Sequence, residues 1–115
     1  RGDLAAARRT IDRATTLLGA HQDLRARLLV EIRAARLGRI PRPDPALQQV
    51  IEQAGRAGLL APQLEARLAL GELDLEQGRT AAGRERLQAL EQEANALGYR
   101  LIAQKAEARA GGGGQ

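Results

Sequence analysis

Few residues in this chain carry side chains suited to acid–base or nucleophilic chemistry. The 115-residue chain has no cysteine and no serine, which excludes thiolate and serine nucleophiles and the usual cysteine zinc sites. The single histidine, His21, is expected in a turn between two helices, where a solvated side chain is the usual outcome. Glu72, Asp74 and Glu76 form an acidic group near a helix end, but at these spacings such a group is more often a solvated face. We therefore predict no enzyme activity, no cofactor and no metal site.

The composition favours helices as the elements that position these residues. Hydrophobic residues make up 43% of the chain, and Tyr99 is the only aromatic one. The apolar content is almost entirely Ala, Leu, Ile and Val, so the core must be built from aliphatic side chains. Ala and Leu are strong helix formers, whereas the residues that favour strands are scarce. The expected fold class is all-α.

Arginine dominates the charge, and it is unevenly distributed. Residues 1–42 hold ten Arg and four acidic residues, whereas residues 43–115 have a net charge of −2. A basic first part suggests acidic partners, and a solvated Arg-rich surface is the alternative. Nucleic acid is the main rival class of partner, attracted by the arginines of the first two helices and their connector: Arg8, Arg9, Arg13, Arg33, Arg36, Arg39 and Arg42. The absence of aromatic stacking platforms and of a recognition-helix signature disfavours this rival.

Membrane and export signals are not visible in the sequence. No run of about 18 apolar residues occurs, so no membrane span is predicted. Residues 1–30 contain no uninterrupted apolar stretch of the kind found in signal peptides. We expect a cytoplasmic location. We also expect the chain to be a piece of a longer protein, because it lacks an initiator Met and begins inside a repeat.

Apolar stripes and stop signals predict about six helices. Asp3, Asp44 and Thr80 are expected as N-caps, and Asp44 is followed by a proline suited to the first helical position. Glycines are expected to end the first five helices, at positions 19, 38, 58, 78 and 98. The predicted helices span residues 3–18, 22–37, 45–57, 62–77, 80–97 and 99–109. They form one domain over residues 1–110, and residues 111–115 are predicted to be a flexible glycine-rich tail.

The sequence repeats itself at a period of 40 residues. Ala26-Arg27-Leu28 recurs as Ala66-Arg67-Leu68, and Gly38-Arg39 recurs as Gly78-Arg79. Helix stops and apolar stripes share this register, with matching triples such as Ala14, Ala54 and Ala94. Two helices in each period of 20 to 50 residues indicate an α-solenoid of stacked helical hairpins. A plain helical bundle with chance similarity is the alternative.

These residues resemble the tetratricopeptide repeat. The segment from Leu70-Gly71 through Gly78 and Gly83 to Leu87 and Leu90 follows the pattern of that family, in which a small residue of helix B packs closely on helix A. The first helix resembles a helix B through Gly2, Ala7, Ile11 and Ala14. Two departures stand out, since Val30-Glu31 replaces the Leu-Gly pair and Asp74 stands where the family often has a large aromatic residue. Residues 66–106 also resemble the C-terminal repeat region of bacterial multidomain regulators and kinase-type proteins.

The resemblance implies a short solenoid that binds a protein or peptide partner and acts as an interaction or scaffolding module. In the family, helix A lines the binding groove. Carried over residue by residue, the groove consists of Arg25, Leu28, Ile32, Arg36, Glu65, Leu68, Glu72, Leu75 and Glu76, with Lys105 continuing the row. This groove is expected to be basic at one end and acidic at the other. The first helix lacks a helix A of its own, so we also predict self-association, or contact with an upstream repeat, through its exposed side.

Overall fold

The computed structural model describes residues 2–112 and confirms the all-α fold class. Within this range the chain forms helices and their connecting turns, with no strand. Five helices replace the six that were predicted. Their bounds are α1 Gly2–Arg36, α2 Pro43–Ala57, α3 Leu60–Glu76, α4 Thr80–Leu97 and α5 Arg100–Gly112. Helix α5 thus extends two residues into the predicted tail, and the rest of the tail, residues 113–115, lies outside the described residues.

The missing helix boundary is at Gly19, which was wrongly predicted to end the first helix. Helix α1 runs through Gly19 without interruption for 35 residues. Gly19 does not adopt the positive φ of a helix-ending glycine. The residues that follow, from Ala20 to Leu24, are compatible with a helix and contain no proline. A single glycine inside a helix costs only about 1 kcal/mol, which is too little to break α1 here.

Four other glycines do end helices, as predicted, and they are spaced by 20 residues. Gly38, Gly58, Gly78 and Gly98 have φ values of 70°, 71°, 83° and 86°. At each one, the backbone N–H of the next residue donates to a carbonyl five residues earlier, for example from Arg39 to Ala34 over 2.9 Å. This is the Schellman arrangement, which satisfies carbonyls at the end of a helix. The same turn therefore recurs at every reversal of the chain.

The helix starts differ from the predicted caps. Helix α2 begins at Pro43, so Asp44 lies in its first turn rather than at the N-cap. Helix α4 begins at Thr80, and its N-cap residue, Arg79, makes no capping side-chain hydrogen bond. The Asp44 side chain is instead engaged by Arg79, as described below. The predicted capping roles of Asp44 and Thr80 are therefore wrong.

The helices form two layers. Each helix packs against the next one along the chain, and α3 also contacts α1 and α5. Among the described residues, no Cα atom of α2 lies within 8 Å of a Cα atom of α4. Helices α1, α3 and α5 therefore make one layer, called the inner layer here, and α2 and α4 make the outer layer. This order is typical of stacked helical hairpins.

The core consists of two clusters that share α3. One cluster joins the second half of α1 to α2 and to the Ala66, Ala69 and Leu70 side of α3. The other cluster joins Leu64 and Leu68, on the opposite side of α3, to α4 and α5. Helix α3 therefore has two apolar faces, one against each cluster, as is typical of a helix that lies between neighbours.

Several pairs of positions 40 residues apart have the same burial, although Ala26 is exposed and its counterpart Ala66 is buried. Leu28 and Leu68 are 0% and 1% exposed, Leu47 and Leu87 are 2% and 0%, and both Ala54 and Ala94 are fully buried. At these three pairs the sequence period is therefore matched by the packing.

Two glycines let α3 and α4 approach closely. A Cβ atom on Gly71 would lie 2.6 Å from a Cδ atom of Leu87, and one on Gly83 would lie 2.8 Å from a Cδ atom of Leu75. At such distances a side chain on either glycine would force the facing leucine to move. Gly71 and Gly83 therefore each lie directly against a leucine of the facing helix.

The first half of α1 projects from this packed body. Every residue from Asp3 to Leu18 is exposed. The radius of gyration is 17.9 Å, compared with about 13 Å for a compact chain of this length. The longest dimension, 69 Å, reflects the projecting helix. Among residues 2–112, no helix combines the length and apolar character needed to cross a bilayer.

Candidate interaction surface

The three inner helices present a row of charged side chains that we call the inner-layer surface. It consists of Arg36 from α1, then Glu65, Glu72 and Glu76 from α3, and Lys105 and Arg109 from α5. Shallow depressions connect these residues. One is lined by Arg36, Leu68, Glu72, Lys105, Ala108 and Arg109. The row crosses three helices, so its geometry depends on the stacking of both hairpins.

Ion pairs across the helices hold the centre of this row. An Nη atom of Arg36 lies 3.1 Å from Glu72 and 4.0 Å from Glu65. From the other side, the Nε–H of Arg109 donates to Glu72 over 2.7 Å. The Glu72 side chain is 16% exposed, whereas those of Arg36 and Arg109 are 38% and 60% exposed. Glu72 is therefore a shielded carboxylate between two partly solvated guanidinium groups.

The charges of the inner-layer surface run basic, acidic, basic across the three helices. The expected order had one basic end and one acidic end. The difference arises because α5 carries Lys105 and Arg109 and closes the row with a second basic helix. Arg33 of α1 lines a neighbouring depression with Arg36 and Glu65. Within the described residues Arg33, Glu76 and Lys105 take part in no ion pair, so each of the three inner helices has a charged side chain at or beside this surface without an ionic partner.

The predicted groove residues separate into core and surface groups. Leu28, Ile32 and Leu68 are at most 4% exposed and belong to the hydrophobic clusters. Leu75 is half-buried against Gly83 of α4. Arg25 is exposed on α1, next to Leu24, where α1 begins to pack against the core. The polar members Arg36, Glu65, Glu72 and Glu76 are the ones that the structure brings together at the surface.

A second charged cluster surrounds Asp74, a residue that the sequence suggested was solvated. Its side chain is only 5% exposed. The Nε–H of Arg79 donates to one carboxylate oxygen of Asp74 over 3.0 Å. An Nη atom of Arg79 also donates to Asp44 of α2 over 2.6 Å. One guanidinium thus links the carboxylates of both hairpins.

Arg86 of α4 lies on the other side of Asp74. Its Nε atom is 2.9 Å from the second carboxylate oxygen, which is within ion-pair range. That oxygen nevertheless accepts no hydrogen bond from the described residues, because the Arg86 N–H is not directed at it. We regard the contact as electrostatic attraction rather than a formed hydrogen bond. Asp74 therefore has one directional partner, Arg79, and one purely ionic partner, Arg86.

The position of Asp74 in the helix-ending turn at Gly78 explains why its side chain is buried. In a Schellman turn, the residue after the glycine often makes an apolar contact with the residue five positions earlier. These two positions hold Ala54 with Leu59 in one turn and Ala94 with Tyr99 in another. At Gly78 they hold Asp74 and Arg79, so an ion pair takes the place of the apolar contact. The sequence-based prediction missed this ion pair, and the opposite charges at these two positions are the signal that could have found it.

The other residues considered for chemistry or for nucleic-acid binding lie on the exposed surface of α1. His21 lies inside α1 with an exposed side chain, which corrects its predicted place in a turn. Within residues 2–112 no three His, Asp or Glu residues are grouped in a way that would hold a metal ion. The exposed arginines Arg8, Arg9 and Arg13 lie on the projecting half of α1. On an ideal helix these three spread over about 140° of the surface, so they do not form a single narrow basic stripe.

Comparisons with protein-family models, curated proteins and solved structures gave no match. The assignment of a function therefore depends on the packing and the surface described above.

Proposed function

We propose that this chain is a non-catalytic protein-interaction module whose inner-layer surface binds an extended peptide or a helix of a partner protein. The observation that carries the proposal is the set of free charges on three successive inner helices: Arg33, Glu76 and Lys105. A solenoid presents such rows because each hairpin contributes one helix to the same side. A partner segment that carries acidic, basic and acidic residues in this order would match all three.

The Glu72 ion pairs support this role by fixing the shape of the surface. Arg36 and Arg109 hold α1 and α5 against the same carboxylate of α3. A surface whose side chains are already ordered loses less entropy when a partner binds. Exposed ion pairs contribute only about 0–1 kcal/mol to folding, so their main effect here is on the orientation of the side chains.

The packing also supports a tetratricopeptide-like architecture as part of the proposal. The close approach at Gly71 and Gly83 and the recurring glycine turns agree with that pattern. The period of 40 residues is longer than the period of about 34 that is typical of the family. The same resemblance underlies our proposal that the chain acts as a scaffolding region within a larger bacterial protein of the cytoplasm.

A charge-reversal experiment tests the interaction role. The unmodified chain and the variants Glu76→Lys and Lys105→Glu are immobilised and probed with peptides that carry acidic and basic residues in defined orders. We expect the unmodified chain to prefer the acidic–basic–acidic order. Each variant should lose roughly 5- to 30-fold of that preference, because one favourable charge contact becomes a repulsive one.

The matched control is Glu85→Lys, which reverses an exposed charge on the outer helix α4. It should leave peptide preference unchanged. Circular dichroism would verify that all variants keep their helical content. Equal binding of every peptide order by all four proteins would contradict the proposed role of the inner-layer surface.

A further inference from the structure

One depression of the inner-layer surface has an excess of positive charge. It joins the end of α1 to α3 and α5, and its volume is about 300 Å³. Its lining consists of Arg36, Leu68, Glu72, Lys105, Ala108 and Arg109. Three cationic side chains stand against one carboxylate, which gives the lining a formal charge of +2. We call it the basic depression.

The neighbouring depressions have a smaller positive excess or none. One of them shares Arg36, Glu72 and Arg109 with the basic depression but adds Glu76, so its formal charge is zero. The depression between α1 and α3 contains two arginines and one glutamate, so its formal charge is +1. Lys105 lines neither of these two, and its presence makes the basic depression the most favourable of the three for an anion.

The cationic groups of the basic depression keep hydrogen-bond donors that Glu72 does not use. An Nη atom of Arg36 lies 3.1 Å from one oxygen of Glu72, and the Nε–H of Arg109 donates to the other oxygen over 2.7 Å. A guanidinium carries N–H donors on all three nitrogens, so both arginines retain donors. Their side chains are 38% and 60% exposed. Those donors are therefore accessible to a ligand, as is the exposed Lys105.

We propose that the basic depression binds the phosphate group of a phosphorylated serine or threonine in the partner segment. This inference rests on the proposed function, because the phosphorylated residue takes the place of the acidic residue that meets Lys105. A phosphate monoester has a charge of about −1.5 to −2 at pH 7, which matches the charge of the lining. A carboxylate has half that charge and fewer acceptor oxygens. Arginine binds phosphate oxygens through paired N–H groups, and lysine adds a point charge.

The shape of the basic depression favours a side chain of a protein over a free phosphorylated metabolite. Small-molecule sites enclose about 70–90% of their ligand, whereas this depression is shallow and its Arg109 wall is largely solvated. A free phosphate gains only the ionic contacts of the depression. A phosphorylated segment gains the contacts of the inner-layer surface as well, and clusters of arginine are a recurring means of recognising such segments.

Peptides that differ at one position test this site. Each peptide has the acidic–basic–acidic order, with serine, glutamate or phosphoserine at the acidic position that meets Lys105. Fluorescence anisotropy should show that the unmodified chain binds the phosphoserine peptide roughly 5- to 30-fold more tightly than the glutamate peptide. Lys105→Gln should reduce this ratio by about 3- to 10-fold, because the depression loses a cation that has no ionic partner.

The matched control is Arg33→Gln, which removes one exposed cation that also lacks an ionic partner but lies outside the basic depression. It should weaken the binding of all three peptides and leave the phosphoserine-to-glutamate ratio unchanged. Circular dichroism would verify that both variants keep their helices. Equal loss of the ratio in the two variants would overturn the proposal, since the preference would then reflect general charge attraction.

Inorganic phosphate provides a second readout that does not depend on a peptide. Titrated against chloride at constant ionic strength, it should shift the amide NMR signals of Lys105, Ala108 and Arg109, and these shifts should be lost in Lys105→Gln. Equal affinity for the phosphoserine and glutamate peptides, or shifts spread evenly over the chain, would overturn the phosphate site and leave the proposed function intact. Phosphate binding at these residues without any preference for charge order would contradict the proposed function and support the site.

Discussion

Residues 3–23 and residues 24–112 have similar apolar patterns but opposite surroundings. Ile11, Ala14 and Leu18 follow the same steps of three and four residues as Leu87, Leu90 and Ala94. The second set is fully buried between helices, whereas Ile11 and Leu18 are more than 60% exposed. The comparison shows that an apolar stripe predicts a helix and the side it will bury, but not which element covers that side.

The largest expected effect comes from truncating one leucine in each region. Leu87→Ala should lower the free energy of unfolding by about 2–5 kcal/mol, because it removes buried methyl groups and leaves a cavity beside Gly71. Leu18→Ala should change it by less than about 0.5 kcal/mol. Urea unfolding at protein concentrations low enough to keep the chain monomeric measures both. Equal losses would mean that the projecting half of α1 packs in the folded monomer.

An intermediate effect is expected when the Asp74 cluster is removed. Asp74→Ala should destabilise the chain by about 1–3 kcal/mol, because Arg79 and Arg86 lose a buried carboxylate while remaining able to reach water. Asp44→Ala, which affects only an exposed contact of Arg79, should cost less than about 1 kcal/mol. A smaller loss for Asp74→Ala than for Asp44→Ala would show that the cluster is not centred on Asp74.

The smallest effects should have opposite signs at two glycines. Gly78→Ala should destabilise the chain by about 1–2 kcal/mol, because its φ of 83° is unfavourable for a residue with a side chain. Gly19→Ala should raise the helicity of α1 and stabilise that helix by up to about 1 kcal/mol. Thermal unfolding followed by circular dichroism distinguishes the two. A destabilising Gly19→Ala would indicate a turn at that position.

The sequence predicts most of the fold because local signals and the repeat agree. Gly38, Gly58, Gly78 and Gly98 end helices where predicted, and the two-faced pattern of α3 identifies the helix between the two clusters. Gly19 has the same residue type but lacks a sequence context that favours a turn. Whether a glycine ends a helix depends on the residues that follow and on what the next helix packs against, and the residues after Gly19 favour continuation of the helix.

The candidate surface was harder to predict than the fold. Helix periodicity places Leu28, Leu68 and Glu72 on the predicted groove face of their helices. It does not show which residues of that face are buried in the core and which are exposed to solvent. The pairing of Glu72 with both Arg36 and Arg109 depends on how three helices stack. The order of charges across the helices also depends on that stacking. The sequence predicted a groove that is basic at one end and acidic at the other, whereas the structure has a basic, acidic, basic row.

The most direct test of the account is residue-resolved amide hydrogen exchange on the unmodified chain at low and high concentration. At low concentration we expect strong protection in α2, α3 and α4, with equivalent positions such as Ala54 and Ala94 alike, and fast exchange from Asp3 to Leu18, since an isolated helical segment of this length is marginal in water. Protection of residues 3–18 should rise with concentration. Strong protection of that segment in a monomer, or unequal protection of α2 and α4, would contradict a repeating body with an unpartnered first half of α1.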